Sequence, residues 1–447
     1  MHEIYALVAG TLYGLLIGII PSAGATTGLV ALFGFISYFA DQPYLGVIFC
    51  MAVVAASTTG DTYTGVLLGI PGANSAAATM VDGFPLAQKG QATYAITAAV
   101  TTSTVNGLLW GASVGFVSST WWVRSLIAIV VGIGLGFIGT DPATNADRYT
   151  LGWDYLGDGI QLMPFVAGLF AIPELVDGLK RRRKTVNSAD QLGQTIAGVQ
   201  AVWANKWDAL RGGFIGAFIG LLPGLGGAMA DWMAYGSTVA AHPNEKFGDG
   251  NIKGVIGPEG ANNAQKATSM IPTVLFGIPG APFAAVIMAL FMYLGFELGT
   301  PDLAHDERFF DSLTFGFMWG TVIVGVFCLV FTRYISAITR VPYKYYFPML
   351  FVFITWACVQ YTGGWEDYFI LAVCSVLGIL CKKYKFSRPA MVIGFILAER
   401  VEALTLQMTS LYSIDQLVTR PIFVILLLLT TGVFAWGITT KRRLNYA

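Results

Sequence analysis

Residues 216–243 read GAFIGLLPGLGGAMADWMAYGSTVAAHP and residues 257–288 read GPEGANNAQKATSMIPTVLFGIPGAPFAAVIM. Each stretch is apolar enough for a membrane helix and each is cut by a Pro-Gly pair, at Pro223-Gly224 and Pro279-Gly280. Proline removes a backbone donor and glycine widens the allowed dihedrals, so a helix breaks at such a pair. Inside lipid a break leaves amides and carbonyls bare. They are tolerated only where protein covers them or where they line a polar cavity, which makes each break a candidate wall of a substrate path.

The same arrangement occurs earlier, in GLLIGIIPSAG (14–24) and GVLLGIPGANSAAATM (65–80). Gly14, Gly18, Pro21 and Gly24 match Gly216, Gly220, Pro223 and Gly226 at one offset of 202 positions. Pro71, Gly72 and Met80 match Pro279, Gly280 and Met288 at a second offset of 208. Two copies of a twice-broken apolar unit predict a repeat-built transporter whose site lies between the copies near the bilayer midplane. Glycines spaced four apart also serve simply to bring helices close; that role does not call for Pro-Gly pairs at matching places.

Composition narrows the class. The chain has 447 residues, of which 55% are hydrophobic and 12% charged, about half the charge of a soluble domain. Formal net charge is zero, so no basic surface points to nucleic acid, and no nucleotide-binding or zinc-ligand spacing occurs. Cys50, Cys328, Cys358, Cys374 and Cys381 sit in or beside apolar runs without paired spacing and read as packing residues. The N-terminus lacks a basic leader segment and reads as a first membrane segment. The predicted fold is an all-α polytopic membrane protein with about ten to twelve transmembrane helices plus re-entrant or broken helices, in two repeats read as inverted.

Residues 1–179 form the expected first repeat-bearing half, 180–207 a cytoplasmic linker, 208–310 the second repeat and 311–447 the C-terminal membrane helices. The basic clusters KRRRK (180–184), Arg333 with Arg340 and Lys344, KKYKFSR (382–388) and KRR (441–443) should face the cytoplasm. That orientation puts the C-terminus in the cytoplasm.

An anion in such a site needs donors stripped of water. A helix starting after a break offers free amides with a partial positive charge, and Gly24, Gly72, Gly224, Gly226 and Gly280 would let a ligand approach them. Ser22, Thr26, Thr27, Asn74, Ser75, Asn262 and Asn263 add short polar groups able to orient carboxylate oxygens or complete a cation shell. For Asn262 and Asn263 the alternative is a helix–helix hydrogen bond, and for the hydroxyl residues a helix cap or a bond to the preceding turn. Asp61, Asp231 and Lys266 are charges within apolar segments, which is costly unless they are paired or functional. Lys266 is expected to pair with Asp61 or Asp231, leaving one acid for a coupling ion; the alternative places these charges at a water-filled mouth. His2, His242 and His305 fall toward loops, and Asp82 and Lys89 read as fixing a loop.

Several stretches carry a family likeness: the PGLGG turn, PEGANNA (258–264), the paired LLGIPG and LFGIPG elements, DGFPLAQKGQA (82–92), IGTDPATNADRYTLGWDYLGDGIQLMPFVAGLFAIPEL (138–175) and RPAMVIGFILAE (388–399). In this order they resemble the large membrane subunit of tripartite tricarboxylate transporters, the TctA family. The resemblance implies a bacterial inner-membrane secondary transporter for an organic carboxylate, driven by sodium or protons. It also implies a small membrane subunit and a periplasmic binding protein as partners, with no cofactor beyond the coupling ion. Asp61, Asp231 and Lys266 depart from the family's usual small or hydroxyl residues, so the resemblance does not fix the substrate. A membrane-embedded enzyme would need a nucleophile–base pair or a metal-ligand set, and neither spacing is present. A passive channel shares the path but not the coupling.

Overall fold

The computed structural model describes residues 2–20, 24–69, 73, 76–111, 123–140, 147–173, 175–176, 192–222, 226–338, 343–362, 364–384, 386, 388, 391–392, 394–395, 398 and 402. They form two compact units: Met1–Ser119 with Met163–Ile379, and Thr120–Leu162 with Leu380–Ala447. The described residues are predominantly helical, one of the two ways, with closed barrels, in which a chain in lipid satisfies its backbone groups internally.

In the first unit, α1 (His2–Ile19) lies along α3 (Pro43–Leu68). A Cβ on Gly10, Gly14 or Gly18 would fall 2.6, 2.5 or 2.3 Å from the carbonyl oxygens of Phe49, Val53 and Ser57. No side chain fits in that seam, and because both sets of residues ascend together, the two helices are parallel. The second half repeats the arrangement. With α8 (Lys206–Gly220) and α10 (Lys253–Phe276), a Cβ on Gly212, Gly216 or Gly220 would fall 1.9, 2.2 or 2.4 Å from the carbonyl oxygens of Gly257, Ala261 and Gln265. Each glycine of the second seam follows its counterpart by 202 positions (Gly10 to Gly212), and each carbonyl by 208 (Phe49 to Gly257).

The backbone at the breaks keeps the same registers. Gly24 and Gly226, which open α2 (Gly24–Leu32) and α9 (Gly226–Ala241), have φ of 57° and 70°. Gly69 and Gly277, which close α3 and α10, have φ/ψ of 62°/27° and 64°/28°. These are left-handed values that glycine adopts without Cβ strain, and they satisfy the last carbonyls of a helix.

Each first break is a hairpin. The Tyr13 hydroxyl donates to the Gly28 carbonyl at 2.8 Å, folding α2 back on α1. Arg211 in α8 donates to the Ser237 carbonyl in α9 at 3.4 Å, and His242 just beyond α9 meets Asp208 at 3.1 Å. The apolar run at 24–40, long enough in sequence to read as a crossing, holds instead a short turn at Ile36–Phe39 and a nine-residue helix of about 14 Å, too short for a hydrocarbon core of about 30 Å. Among the described residues three helical stretches are long and apolar enough to cross: His2–Ile19, Pro43–Leu68 and Glu307–Thr332. These three do not fix the number of crossings: α5 (Ala92–Gly111) and α10 are 20 and 24 residues long but more polar, and residues 418–438 lie outside the described residues.

Helices α3 and α10 meet with opposite sense. Val66 and Val255 both flank Gly83 of α4 (Thr79–Gln88), Thr62 bonds Glu259, and Asp61 faces Lys266, so one helix ascends as the other descends. The long helix α12 (Glu307–Ile338) buttresses α3. A Cβ on Gly316 or Gly320 would fall 2.6 Å from the Ile48 carbonyl oxygen or 2.9 Å from the Ala52 Cα, and the Tyr63 hydroxyl reaches the Cys328 carbonyl at 3.3 Å. Within the stretch expected as a linker, α7 (Leu192–Ala204) is a helix packed on α5 (Ala92–Gly111) through a cluster of Ala98, Ala201, Val202, Ala209 and Ile256. Between α10 and α12, α11 (Pro282–Tyr293) follows the second break of the second half.

In the second unit, α6 (Val123–Gly136) packs against the chain near Met391 and Phe395, close enough at Gly132 that a Cβ there would strike the Met391 carbonyl. A short antiparallel pair joins Gly139–Thr140 to Asp147–Arg148. Arg148 makes a two-pronged ion pair with Glu402 and covers the Phe137 ring with its guanidinium carbon 5.8 Å from the centroid.

Candidate functional site

The polar centre of the first unit is built on the facing stretches of α3 and α10. Asp61 is fully buried and Lys266 is 3% exposed. The Lys266 Nζ stands 3.8 Å from Asp61 Oδ2, an ion contact rather than a hydrogen bond. Neither Nζ nor either Asp61 oxygen has a hydrogen-bond partner among the described residues. Of the two acids considered for Lys266, the structure places Asp61 against it.

Asp231, from α9, reaches elsewhere. Its Oδ2 accepts the Ala78 amide at 2.6 Å at the start of α4, just past the second break of the first half. A carboxylate there meets unsatisfied helix amides and the positive end of the helix dipole. One half's hairpin thus caps the helix that follows the other half's break.

Glu259 is the charge that sequence reasoning passed over. It is fully buried, and its Oε1 accepts the Thr62 hydroxyl at 3.0 Å. The signal was in PEGANNA: a glutamate seven residues before Lys266, two helical turns away and so on the same face, in a segment where any charge demands an explanation. Asp231, Asp61 and Lys266 all lie within electrostatic reach of Glu259, and Thr79 stands beside it with its hydroxyl unpartnered among the described residues.

Of the tandem amides, Asn263 donates from Nδ2 to the Ser103 carbonyl on α5 at 3.0 Å, a helix–helix bond that leaves its Oδ1 free. Asn262, 1% exposed, has neither amide atom partnered among the described residues, and the fully buried Thr27 hydroxyl is likewise unpartnered. Thr26 is half-buried. Gly24 and Gly226 begin their helices with positive φ, and nothing stands within 4 Å of a Cβ placed on Gly226. Gly280 has a different role. Its amide already donates to the Thr273 hydroxyl at 3.2 Å, and a Cβ would fall 2.8 Å from the Ser269 carbonyl oxygen, so the glycine packs the break onto α10. Ser22, Gly72, Asn74, Ser75 and Gly224 lie outside the described residues.

The other charged residues build supports. Asp82 Oδ1 accepts three amides, from Gly248, Gly250 and Asn251 at 2.8 to 2.9 Å, and its Oδ2 accepts the Tyr235 hydroxyl; Lys89 pairs with Asp249 at 3.4 Å. His242 sits between Asp208 and Glu245, the latter also bound by Lys253 and Asn251. These partners hold the Glu245 carboxyl below the usual carboxylate range. Among the described residues no three His, Cys, Asp or Glu side chains converge closely enough to hold a metal ion by themselves.

A buried ion pair, two further buried acids and free amide and hydroxyl groups beside helix breaks form a polar seam through an apolar protein. Such a seam costs stability unless ions or polar solutes use it. Two relatives, both from Agrobacterium vitis, align with this chain. The first is the uncharacterized 52.8 kDa protein in the TAR-I ttuC' 3' region, 28% identical over 436 residues, covering 88% of this chain and 84% of its own. The second is an uncharacterized protein in the TAR-II ttuC' 3' region, 28% identical over 189 residues, covering 42% of this chain and 78% of its own. No solved structure matches. The pattern of one transporter family matches residues 4–114 and 108–393, nearly the whole described chain, and on that match the protein belongs to the Tripartite tricarboxylate transporter TctA family.

Proposed function

We propose that this chain is the large transmembrane subunit of a binding-protein-dependent secondary transporter. It imports an organic carboxylate across the bacterial inner membrane on a sodium or proton gradient, with its C-terminus in the cytoplasm. A small membrane subunit and a periplasmic binding protein complete the assembly. Family membership supports the class. The observation that carries the reading within this chain is the seam of polar groups along α3 and α10 that are buried and unpartnered among the described residues, Asp61, Asn262 and Lys266, together with the buried Thr27 hydroxyl on α2. Lys266 supplies the positive charge that a carboxylate needs in a dry site, and the asparagine amide supplies a neutral donor.

The two halves are read as inverted repeats. Three observations support this: α1 runs parallel to α3, α8 runs parallel to α10 at the same two sequence offsets, and α3 opposes α10. A pseudo-two-fold axis in the membrane plane then passes between α3 and α10, where the charges lie.

Uptake of labelled mono-, di- and tricarboxylates into proteoliposomes holding the full assembly tests the reading. Accumulation should require the binding protein and either a sodium or a proton gradient. Equal flux without any gradient would favour a passive channel, and no flux of any carboxylate would overturn the assignment.

A further inference from the structure

The four buried charges of this polar centre do not balance. Lys266 faces Asp61 at 3.8 Å, and that pair is neutral. Glu259 and Asp231 remain, both fully buried, and among the described residues neither forms an ion pair. The groups facing Glu259 are Asp61 and Thr62 from α3, Thr79 from α4, Asp231 from α9 and Lys266 from its own helix. The only cation among them is already opposite Asp61. A buried carboxylate with no facing cation is costly even where an amide or hydroxyl bonds one oxygen, and a proton or a bound cation relieves that cost.

Each acid spends one oxygen on a donor, Glu259 Oε1 on Thr62 and Asp231 Oδ2 on the Ala78 amide. Among the described residues each keeps its second oxygen, Oε2 and Oδ1, buried without a hydrogen bond of normal length, and the buried Thr79 hydroxyl stands beside Glu259.

We propose that Glu259 and Asp231, with the Thr79 hydroxyl, hold the coupling cation of this transporter, while Asp61 and Lys266 form the pair that meets the carboxylate. The inference rests on the transporter reading and names its ion site. A monovalent cation, either a proton or sodium, satisfies the chemistry, since both bind carboxylate oxygen and neither needs a nitrogen or sulfur ligand. The placement accounts for coupling. Thr62 and Glu259 join α3 to α10, and Asp231 joins α9 to the start of α4 beside the break, so filling or emptying the site alters contacts at both. Removing the cation leaves mutually repelling acids across that joint.

The test uses the purified full chain in lipid nanodiscs and no carboxylate. Binding of radioactive sodium is measured by scintillation proximity at acid and alkaline pH, and protonated carboxyl groups are followed by infrared difference spectroscopy across the same pH change. A sodium site predicts saturable binding, weakened at least tenfold by Glu259→Gln and by Asp231→Asn. A proton site predicts no sodium binding and a pH-dependent carboxyl band that Glu259→Gln removes. Either signal should survive in the Asp61→Asn/Lys266→Met double variant. Glu259→Asp, which keeps the charge, guards against misfolding and should shift the signal without abolishing it. Signals unchanged in Glu259→Gln and Asp231→Asn, or abolished equally by the Asp61/Lys266 double variant, overturn the proposal. Failure of carboxylate uptake in proteoliposomes would instead sink the transport reading and leave the cation result standing.

Discussion

Removing Lys266 alone should damage the protein more than removing it together with Asp61. At the 3.8 Å separation two unit charges attract by about 4 kcal/mol at an effective dielectric constant of about 20. Both are buried, so a single truncation forfeits that attraction and strands a charge; buried pairs broken on one side lose about 3–5 kcal/mol. Replacing both partners removes the stranded charge and is expected to be neutral or even stabilising. The positions 208 away show which residues the packing accepts. Asp61 corresponds to Ser269 and Lys266 to Thr58, and both hydroxyls bond their own helix backbone, at 3.0 Å to the Lys266 carbonyl and 2.9 Å to the Val54 carbonyl. Asp61→Ser and Lys266→Thr therefore import side chains that the fold already accepts at the equivalent places. Thermal denaturation of the detergent-solubilised chain, followed by fluorescence-detected size exclusion, should show both single variants well below wild type and the double variant close to it. Carboxylate uptake should be lost in all three. A double variant destabilised by the sum of the singles would show that the two charges do not act as a pair, and would refute the reasoning.

Three further outcomes follow from the same geometry. Asp82→Ala removes the acceptor of three loop amides, with an expected cost of about 1–3 kcal/mol; hydrogen exchange should accelerate locally over residues 246–252, and unchanged protection there would refute the role. Gly226→Ala meets open space but a positive φ, so it should cost only about 1–2 kcal/mol, whereas Gly216→Ala strikes the Ala261 carbonyl and should prevent accumulation of folded protein, as read by expression level and size exclusion. Glu245 has its carboxyl affinity for protons lowered by Lys253 and Asn251, so its contribution is present above the unfolded value near 4.3 and is lost as pH falls through the lower folded value. Protection of the 242–252 loop should weaken with acid in wild type and lose that dependence in Glu245→Gln.

Much of this architecture is legible in the sequence because glycine and proline act locally. The matching spacing of Gly14 and Gly18 with Gly216 and Gly220 is read first as a pair of breaks, with close packing as the alternative; the structure shows that these glycines also form two seams, because only a missing Cβ admits the facing carbonyls. Helix number was less legible: an apolar run such as 24–40 reads alike whether it crosses or turns back, and the Tyr13 to Gly28 bond that decides it joins residues from different runs. Gly280 looked like a place for a ligand amide, yet Thr273, one turn before the end of α10, already takes that amide. The partner of Asp231 could not be read at all, because a backbone amide 153 positions away carries no sequence signal. Glu259 could have been found, since the cost that singled out Asp61 and Lys266 applies equally to a glutamate two turns earlier on the same helix.

The two halves share a scaffold but not a chemistry. Subtracting 208 from Glu259, Asn262, Asn263 and Lys266 gives Met51, Val54, Ala55 and Thr58, and subtracting 202 from Asp231 gives Leu29. All five of these counterparts are fully buried. The first half therefore shows that the seam, the breaks and the left-handed caps can be built around apolar or self-satisfied side chains. Packing does not explain why the second half carries three charges and two amides at the equivalent places, each with at least one buried polar atom left without a partner among the described residues. From the first half Asp61 joins them where α3 passes Lys266, as do the Thr27 and Thr79 hydroxyls. Stability alone would have favoured the apolar set in both halves. The asymmetry puts the glycine seams in the frame and supports the proposal that the face of α10 from Glu259 to Lys266, with Asp61 and Asp231, serves transport.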